Sequence, residues 1–273
     1  MLTRVFAAQR VPDASWEALR EPAGTTVERA VIGGARADRV GHAFAIGYSA
    51  ALEALVGEGS AALCVTEEGG AHPRAIQTRL EAGRVTGAKK WTTLADRARY
   101  LLVAACEGAD ADGRPRLRIV RVRADAPGVR IEPSSAAFVP EIAHARVTLD
   151  GVPGEVLAGD GYADYIKPFR TIEDIHVHAA IVGYLIGAAR LHGFAHGLIE
   201  RLAMVASALV ALGAADAKAP ATHIALAGVL ATSHAIVADL EAAWAAAPGD
   251  EWTRWLRDRP LLQVASRARS ERL

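Results

Sequence analysis

The chain contains no asparagine and only two cysteines, Cys64 and Cys106, among its 273 residues. Two thiols do not make a disulfide framework, and their spacing fits no metal-binding motif. Neither sign of charge is in excess, since Lys+Arg and Asp+Glu both number 31. That balance leaves no electrostatic footprint for nucleic acid or an anionic membrane surface. The basic residues are nearly all arginine, which together with the missing asparagine fits a coding bias and carries no functional signal. No internal repeat, low-complexity tract, G-x-G-x-x-G or Walker-type loop occurs. GEGS at 57–60 and EEGGAH at 67–72 lack the spacing and the following lysine. The opening stretch, MLTRVFAAQRVPDASWEAL, is too poor in apolar residues for a signal peptide. The longest apolar run, LAMVASALVALGAA at 202–215, is shorter than the ~20 residues of a spanning helix. The expectation is a soluble, reduced, cytoplasmic protein with no membrane or nucleic-acid partner.

What is present is a globular composition, 51% hydrophobic and 23% charged, in a chain long enough for two or three structural units. Residues 1–60 read as a small helical region. The segment RADRVGHAFAIGYSAALEALVG spaces its apolar residues helically, and Gly57 and Gly59 punctuate it. From Ala61 the character changes. LCVTEE, IQTRLEAGRVTGAKKWTT, RYLLVAACE, RLRIVRVRA, GVRIEP and ARVTLDGV are short β-prone runs separated by the turn signals EGGAHP, EAG, GADADGRP and ADAPG. Such spacing predicts an antiparallel barrel or sandwich. After Pro153 the periodicity is helical. TIED at 171–174, just past Pro168, has the form of an N-cap threonine with an acid at N3. Helices are predicted over 171–192, 194–213 and 220–246, and an arginine-rich one opens at PGDEW; short loops make them a bundle. The excess of alanine, leucine and valine over 180–246 predicts self-association through that bundle as a homodimer or homotetramer.

Within the strand region, GAKKWTTLAD at 87–96 sets two lysines, a tryptophan and two threonines together. Trp91 is either a core residue of an ordinary strand or the wall of a pocket for a flat aromatic ligand. Two motifs bear on the choice. CVTEEGGAHP at 64–73 resembles the pattern C-x-T-E-P-x-A-G-S-D, and GAKKWTT at 87–93 resembles G-x-K-x-W-I-T-N, both of the acyl-CoA dehydrogenase family of flavoproteins. The separation of the motifs, the intervening RLEAGRVTG and the downstream ADAPGVRIE fit the family's barrel. The resemblance is specific over about 61–153 and extends to the helix that follows.

The resemblance implies an α+β fold with a reduced N-terminal helical region (1–60), a central antiparallel β-barrel (61–157) and a C-terminal helical bundle (158–273). It implies FAD as cofactor, with Trp91 and Thr93 against the flavin ring and Thr66 hydrogen-bonded to it. The implied reaction is α,β-dehydrogenation of an acyl thioester or related small acyl substrate, with Glu173 as the base on the helix after the barrel. The family's G-S-D is here Ala71-His72-Pro73, so its serine contact to cofactor phosphate is lost or passes to His72. Leu94 replaces the asparagine after the second motif. Residues 194–273 hold no counterpart of the segments that reach the adenine end of a neighbour's FAD, or of the C-terminal loop that often supplies the base. Two alternatives stand beside this reading: a catalytically degenerate member of the fold acting in binding or assembly, and a flavin monooxygenase-like relative.

The competing structural roles are plain. An acid in a first helical turn complements the helix dipole, so Glu173 and Asp174 also suit capping. His176 and His178 share a helix, and His192, His196 and Glu200 recur at four-residue steps. No carboxylate–histidine set completes a known metal motif, and no metal is expected. Lys89 and Lys90 adjoin on a strand and so should face opposite ways, with at most one lining a pocket.

Overall fold

The computed structural model describes residues 1–246 and 248–263; the end of the expected bundle, 264–273, lies outside the described residues. Helices α1 (Leu2–Ala7), α2 (Thr26–Arg36) and α3 (Val40–Val56) come first. Strands β1 (Ala61–Cys64), β2 (Arg79–Glu81), β3 (Arg84–Thr93), β4 (Tyr100–Ala109), β5 (Pro115–Arg123), β6 (Val129–Ser135), β7 (Ala143–Pro153) and β8 (Glu155–Val156) follow. Helices α4 (Lys167–Leu191), α5 (His196–Gly213), α6 (Pro220–Ala245) and α7 (Asp250–Asp258) complete the described chain. They cluster as two compact units. The helical unit takes residues 1–54, 137–141 and the described residues from Thr171 onward; the strand unit takes 55–136 and 142–170.

The strand unit departs from an antiparallel barrel in two ways. Its sheet is open, in the order β6-β7-β3-β2-β4-β5-β8, with β1 on β4 beside that path. It is also mixed, because β1 and β2 both run parallel to β4. The cause lies in the connections. β1 pairs with β4 at Ala61↔Tyr100 to Cys64↔Val103; the chain then loops out over 65–78 and rejoins β4 at Arg79↔Cys106, still in the same direction. Alternation of apolar residues fixes which face a side chain takes but not the direction of pairing, and a long excursion is what a parallel pair requires. The hairpin from β2 to β3 is tight, with Ala82 (φ 48) and Gly83 (φ 74) both left-handed, as its two-residue turn demands. The core of this unit gathers Cys64, Leu80, Val85, Leu101, Val103, Val120, Val122, Val147 and Leu149.

In the helical unit, α2 opens with a capping box. The Thr25 hydroxyl accepts from Glu28 N, and the Glu28 carboxylate accepts from Thr25 N at 2.9 Å. Packing against α4 brings backbones nearly together. A Cβ at Gly34 would overlap the Ala180 backbone, one at Gly183 the Val31 carbonyl, and one at Gly47 would lie 2.6 Å from Val177 Cα.

α4 begins earlier than its sequence suggests. Asp160 caps a π-helical turn, Gly161–Ile166, by accepting from Tyr162 N at 2.9 Å and Ala163 N at 2.6 Å, and α4 continues from that turn directly. Thr171 is therefore buried inside a helix and is not an N-cap. Pro168 does not mark a stop, because the π turn widens the helix where proline has no N–H to give. Farther on, Gly193 (φ 64) breaks the helix between His192 and His196, so the four-residue step between them does not lie on one helical face.

Three helical spans, Gly161–Leu191, His196–Gly213 and Pro220–Ala245, are long and apolar enough to cross a membrane by length and composition. Counting uninterrupted apolar runs misses them, since isolated polar residues divide each run without removing its average character. The first span is largely buried, whereas most residues of α5 and α6 are exposed or only half-buried.

Candidate functional site

β3 holds a tryptophan in an unusual backbone conformation. After a first register shift between Val85↔Val152 and Gly87↔Leu149, the strand's pairing with β7 is regular from Gly87 to Lys89↔Val147 and resumes at Thr92↔Ala145, so Lys90 and Trp91 together oppose Arg146. This is a β-bulge with one extra residue on β3. Trp91 occupies it with φ 59, a left-handed conformation that costs a residue with a side chain roughly 1–2 kcal/mol. The bulge decides the side-chain direction. In a regular strand Trp91 would follow Lys89 inward; here Lys89 and Thr92 are buried, and Trp91 points outward and is 62% exposed. A core role for Trp91 is thereby removed.

The residues around the bulge are tied down from both sides. Lys90 N donates to Thr66 O at 2.8 Å, which sets Thr66 beside the bulge. Lys89 Nζ donates to Glu67 Oε1 at 2.6 Å and to Val65 O at 3.3 Å. Glu67 in turn accepts from Gln77 N at 2.7 Å and Thr78 N at 3.0 Å. Burial lowers the Lys89 pKa, and Glu67 only partly offsets it. Burial alone would raise the Glu67 carboxyl, but Lys89 and the N–H of Gln77 outweigh it and hold the group below its usual value. On the far side, Thr93 Oγ1 shares a hydrogen bond of 3.2 Å with His144 Nδ1, and burial lowers the His144 pKa.

A cavity of about 230 Å³ opens beside the ion pair, lined among others by Glu67, Thr78, Lys89, Lys90 and Arg146. Both lysines line it, against the expectation that strand alternation would exclude one; the bulge suspends the alternation at that point. His72 is exposed on the loop beyond Thr66, and its Nδ1 accepts from Arg74 N at 3.2 Å. That leaves only Nε2 to carry a proton and donate. Thr66, His72, Trp91 and Thr93 all belong to the strand unit. Glu173 is half-buried on α4 in the helical unit, in the helix interior rather than its first turn, so dipole complementation does not account for it.

The histidines singled out by spacing are committed elsewhere. His176 bonds to Thr26 Oγ1 at 2.8 Å and Ile172 O at 2.7 Å, and His178 bonds to Ser233 Oγ at 2.8 Å. Among the described residues no group of three metal-ligating side chains converges. One polar cluster had no sequence signal. Glu251 on α7 pairs with Arg10, accepts from Tyr184 Oη at 2.9 Å and meets His192 Nε2 at 2.9 Å. It fastens α7 to α4 and to the N-terminal segment. The Lys89–Glu67 pair did have a signal, the acid of one motif and the lysine of the other; His144 had none, 51 residues from its partner Thr93.

No protein-family model matches the chain, and no curated protein matches it by sequence. Solved structures do match. Butyryl-CoA dehydrogenase from Megasphaera elsdenii superposes with a TM-score of 0.71 at 12% identity, over 98% of this chain and 90% of that one. The FAD complex of PigA gives 0.63 at 12% identity, over 99% and 90%. The prolyl acyl carrier protein oxidase AnaB gives 0.63 at 15%, over 88% and 78%. At these identities the likeness shows a shared fold, that of acyl-CoA dehydrogenases and related flavin-dependent enzymes.

Proposed function

We propose that the chain is a flavin-dependent oxidoreductase that desaturates the α,β-bond of an acyl thioester, with FAD seated on the strand unit. One observation carries the reading. A large, flat apolar side chain, Trp91, is held out of the core in a strained backbone conformation, on the strand bearing the GAKKWTT motif. Strain at an exposed aromatic is retained where function requires the geometry. An indole offers a flat face to an isoalloxazine ring, and Thr66 and Thr93 lie beside it to meet the ring's polar edge. His72 has a single N–H to offer at the position where the family's serine meets phosphate.

In this reading bound FAD supplies the hydride acceptor for the β-carbon. Glu173 accepts the α-proton, and the pair of events leaves a carbon–carbon double bond in the acyl chain. Trp91 and its neighbours orient the ring and keep water from it. The fold relatives named as a butyryl-CoA dehydrogenase and an acyl carrier protein oxidase support an acyl thioester as the substrate class. The exposed apolar flank of α5 and α6 supports a homo-oligomer.

The test begins with the visible absorbance of purified protein and acid release of the chromophore, which distinguishes FAD from FMN. Anaerobic addition of acyl thioesters should bleach the flavin. Glu173→Gln should keep the flavin and slow that bleaching by at least ~10²-fold. One observation favours a second reading, a non-catalytic member of the fold: His72 spends Nδ1 on a local turn where the family has its phosphate contact. Protein that binds no flavin, or flavin that no thioester bleaches, would favour that reading.

A further inference from the structure

Lys89 is the only lysine in the strand unit with its ammonium wholly inside the protein, and Glu67 is its partner. Neither side chain reaches the outward face that carries Trp91. An ion pair this deep gives little net stability, because desolvating two charges offsets their attraction. Its geometry is more informative than its energy. Lys89 is the last regularly paired residue of β3 before the bulge, and Thr92 is the first after it. With Lys89 fixed inward and Thr92 fixed inward, two residues must lie outside between them, and the second of these is Trp91. The segment that Lys89 grips is itself fixed. Val65 O and Glu67 Oε1 hold the ammonium, Gln77 N and Thr78 N hold the carboxylate, and Lys90 N reaches back to Thr66 O.

From this we infer that Glu67 and Lys89 are positioning residues, a buried clamp that pins the register of β3 and so holds Trp91 outward in its left-handed bulge. Without the clamp the strand can regularise, because a strand freed at one point regains alternation by turning Trp91 to the other face. Relief of the left-handed strain at Trp91 drives the change. The consequence for cofactor binding rests on the flavin reading above; the consequence for Trp91 itself does not.

The experiment uses the full-length double variant Glu67→Gln/Lys89→Met. It leaves no lone buried charge and keeps one acceptor oxygen for Gln77 N or Thr78 N where the carboxylate served both, so it is expected to fold. Two measurements are made: iodide quenching of tryptophan emission, with Trp91→Phe in each background to isolate Trp91, and flavin affinity by titration. The expected result is a folded protein in which the Trp91 component loses its iodide accessibility and flavin affinity falls by about tenfold or more, ~1.4 kcal/mol. Unchanged quenching of Trp91 in the folded double variant would overturn the clamp, whatever the affinity. If the wild type binds no flavin, the functional reading fails while the quenching result still decides the clamp. Should the double variant not fold, Lys89→Met alone, in which Glu67 keeps both oxygens for Gln77 N and Thr78 N and can take up a proton, is read in the same two assays with the same criteria.

Discussion

At Trp91 the interests of folding and binding are separable. Glycine tolerates positive φ without penalty, so Trp91→Gly should fold at least as stably as the wild type in a urea titration, and on the proposed flavin reading it should bind flavin more weakly. Because the indole is 62% exposed, the change leaves no cavity of the kind that costs ~3–5 kcal/mol when a buried aromatic is truncated. A loss of that size would show that Trp91 is a core residue after all. The thiols give a second check at this scale. Burial pushes the Cys64 thiol up to about 12, and Cys106 is only half-buried. A thiol-specific disulfide reagent should therefore label one cysteine in the native protein and two in denaturant; two labelled natively would contradict the packing of β1. The sequence identified Trp91 as the residue to watch but left its environment open. Propensity and alternation carry no trace of a bulge, whose position depends on partners in β7 and on Glu67. The absence of asparagine does leave a trace. Left-handed positions that asparagine often fills fall here to Asp13, Ala82, Trp91, Leu94 and Val139.

Between elements, the helix–helix contacts set the expected energetics. Gly34→Ala would drive a methyl into the Ala180 backbone and should cost about 3 kcal/mol, the upper range for overpacking. Gly228 on α6 has nothing within 4 Å of its Cβ position. Gly228→Ala should therefore stabilise by up to about 1 kcal/mol through helix propensity. Equal effects in urea melts would refute the close packing of α2 on α4. Burial depresses His176 to about 4 from an ordinary 6.5. The unfolded chain then binds the extra proton between those values, so stability falls as pH drops from 6.5 toward 4. The loss attributable to His176 is about 2 kcal/mol by pH 4.5. His176→Gln should flatten that part of the profile relative to the wild type; an unaltered slope would place the histidine in water. Most helices were legible from periodicity and punctuation, as α3 ending before Gly57 shows. The start of α4 was not, because Pro168 and Thr171 mimic a helix opening that the π turn before them bypasses. Nor were the parallel pairings of β4, since direction is decided by the long connections that reach it, 65–99 from β1 and 82–99 from β2, rather than by any local pattern.

For the whole molecule, the exposed flank of α5 and α6, with Met204 and Ile224 uncovered, is the surface on which the proposed homo-oligomer is tested. The expected outcome is a dimer or tetramer by sedimentation equilibrium, disrupted by Met204→Asp with Ile224→Asp. A monomer that floats with anionic or neutral vesicles would instead assign that flank to lipid, as the composition of these helices allows. The overall alternation of helix, sheet and helix could be read from the chain. The membership of α1 to α3 in the same unit as α4 to α7 could not, because nothing local marks Gly34 and Gly47 as seats for a helix more than 120 residues away. That discontinuity bears on how the protein is made. A ribosome delivers α2 and α3 long before α4 exists, so their backbone-close surfaces emerge with nothing to cover them. The strand unit, almost continuous in sequence, is complete first and can fold while those helices wait. Nascent chains arrested shortly after residue 170 should therefore bind a holdase chaperone through α2 and α3, and release it once residues up to 191 have cleared the exit tunnel.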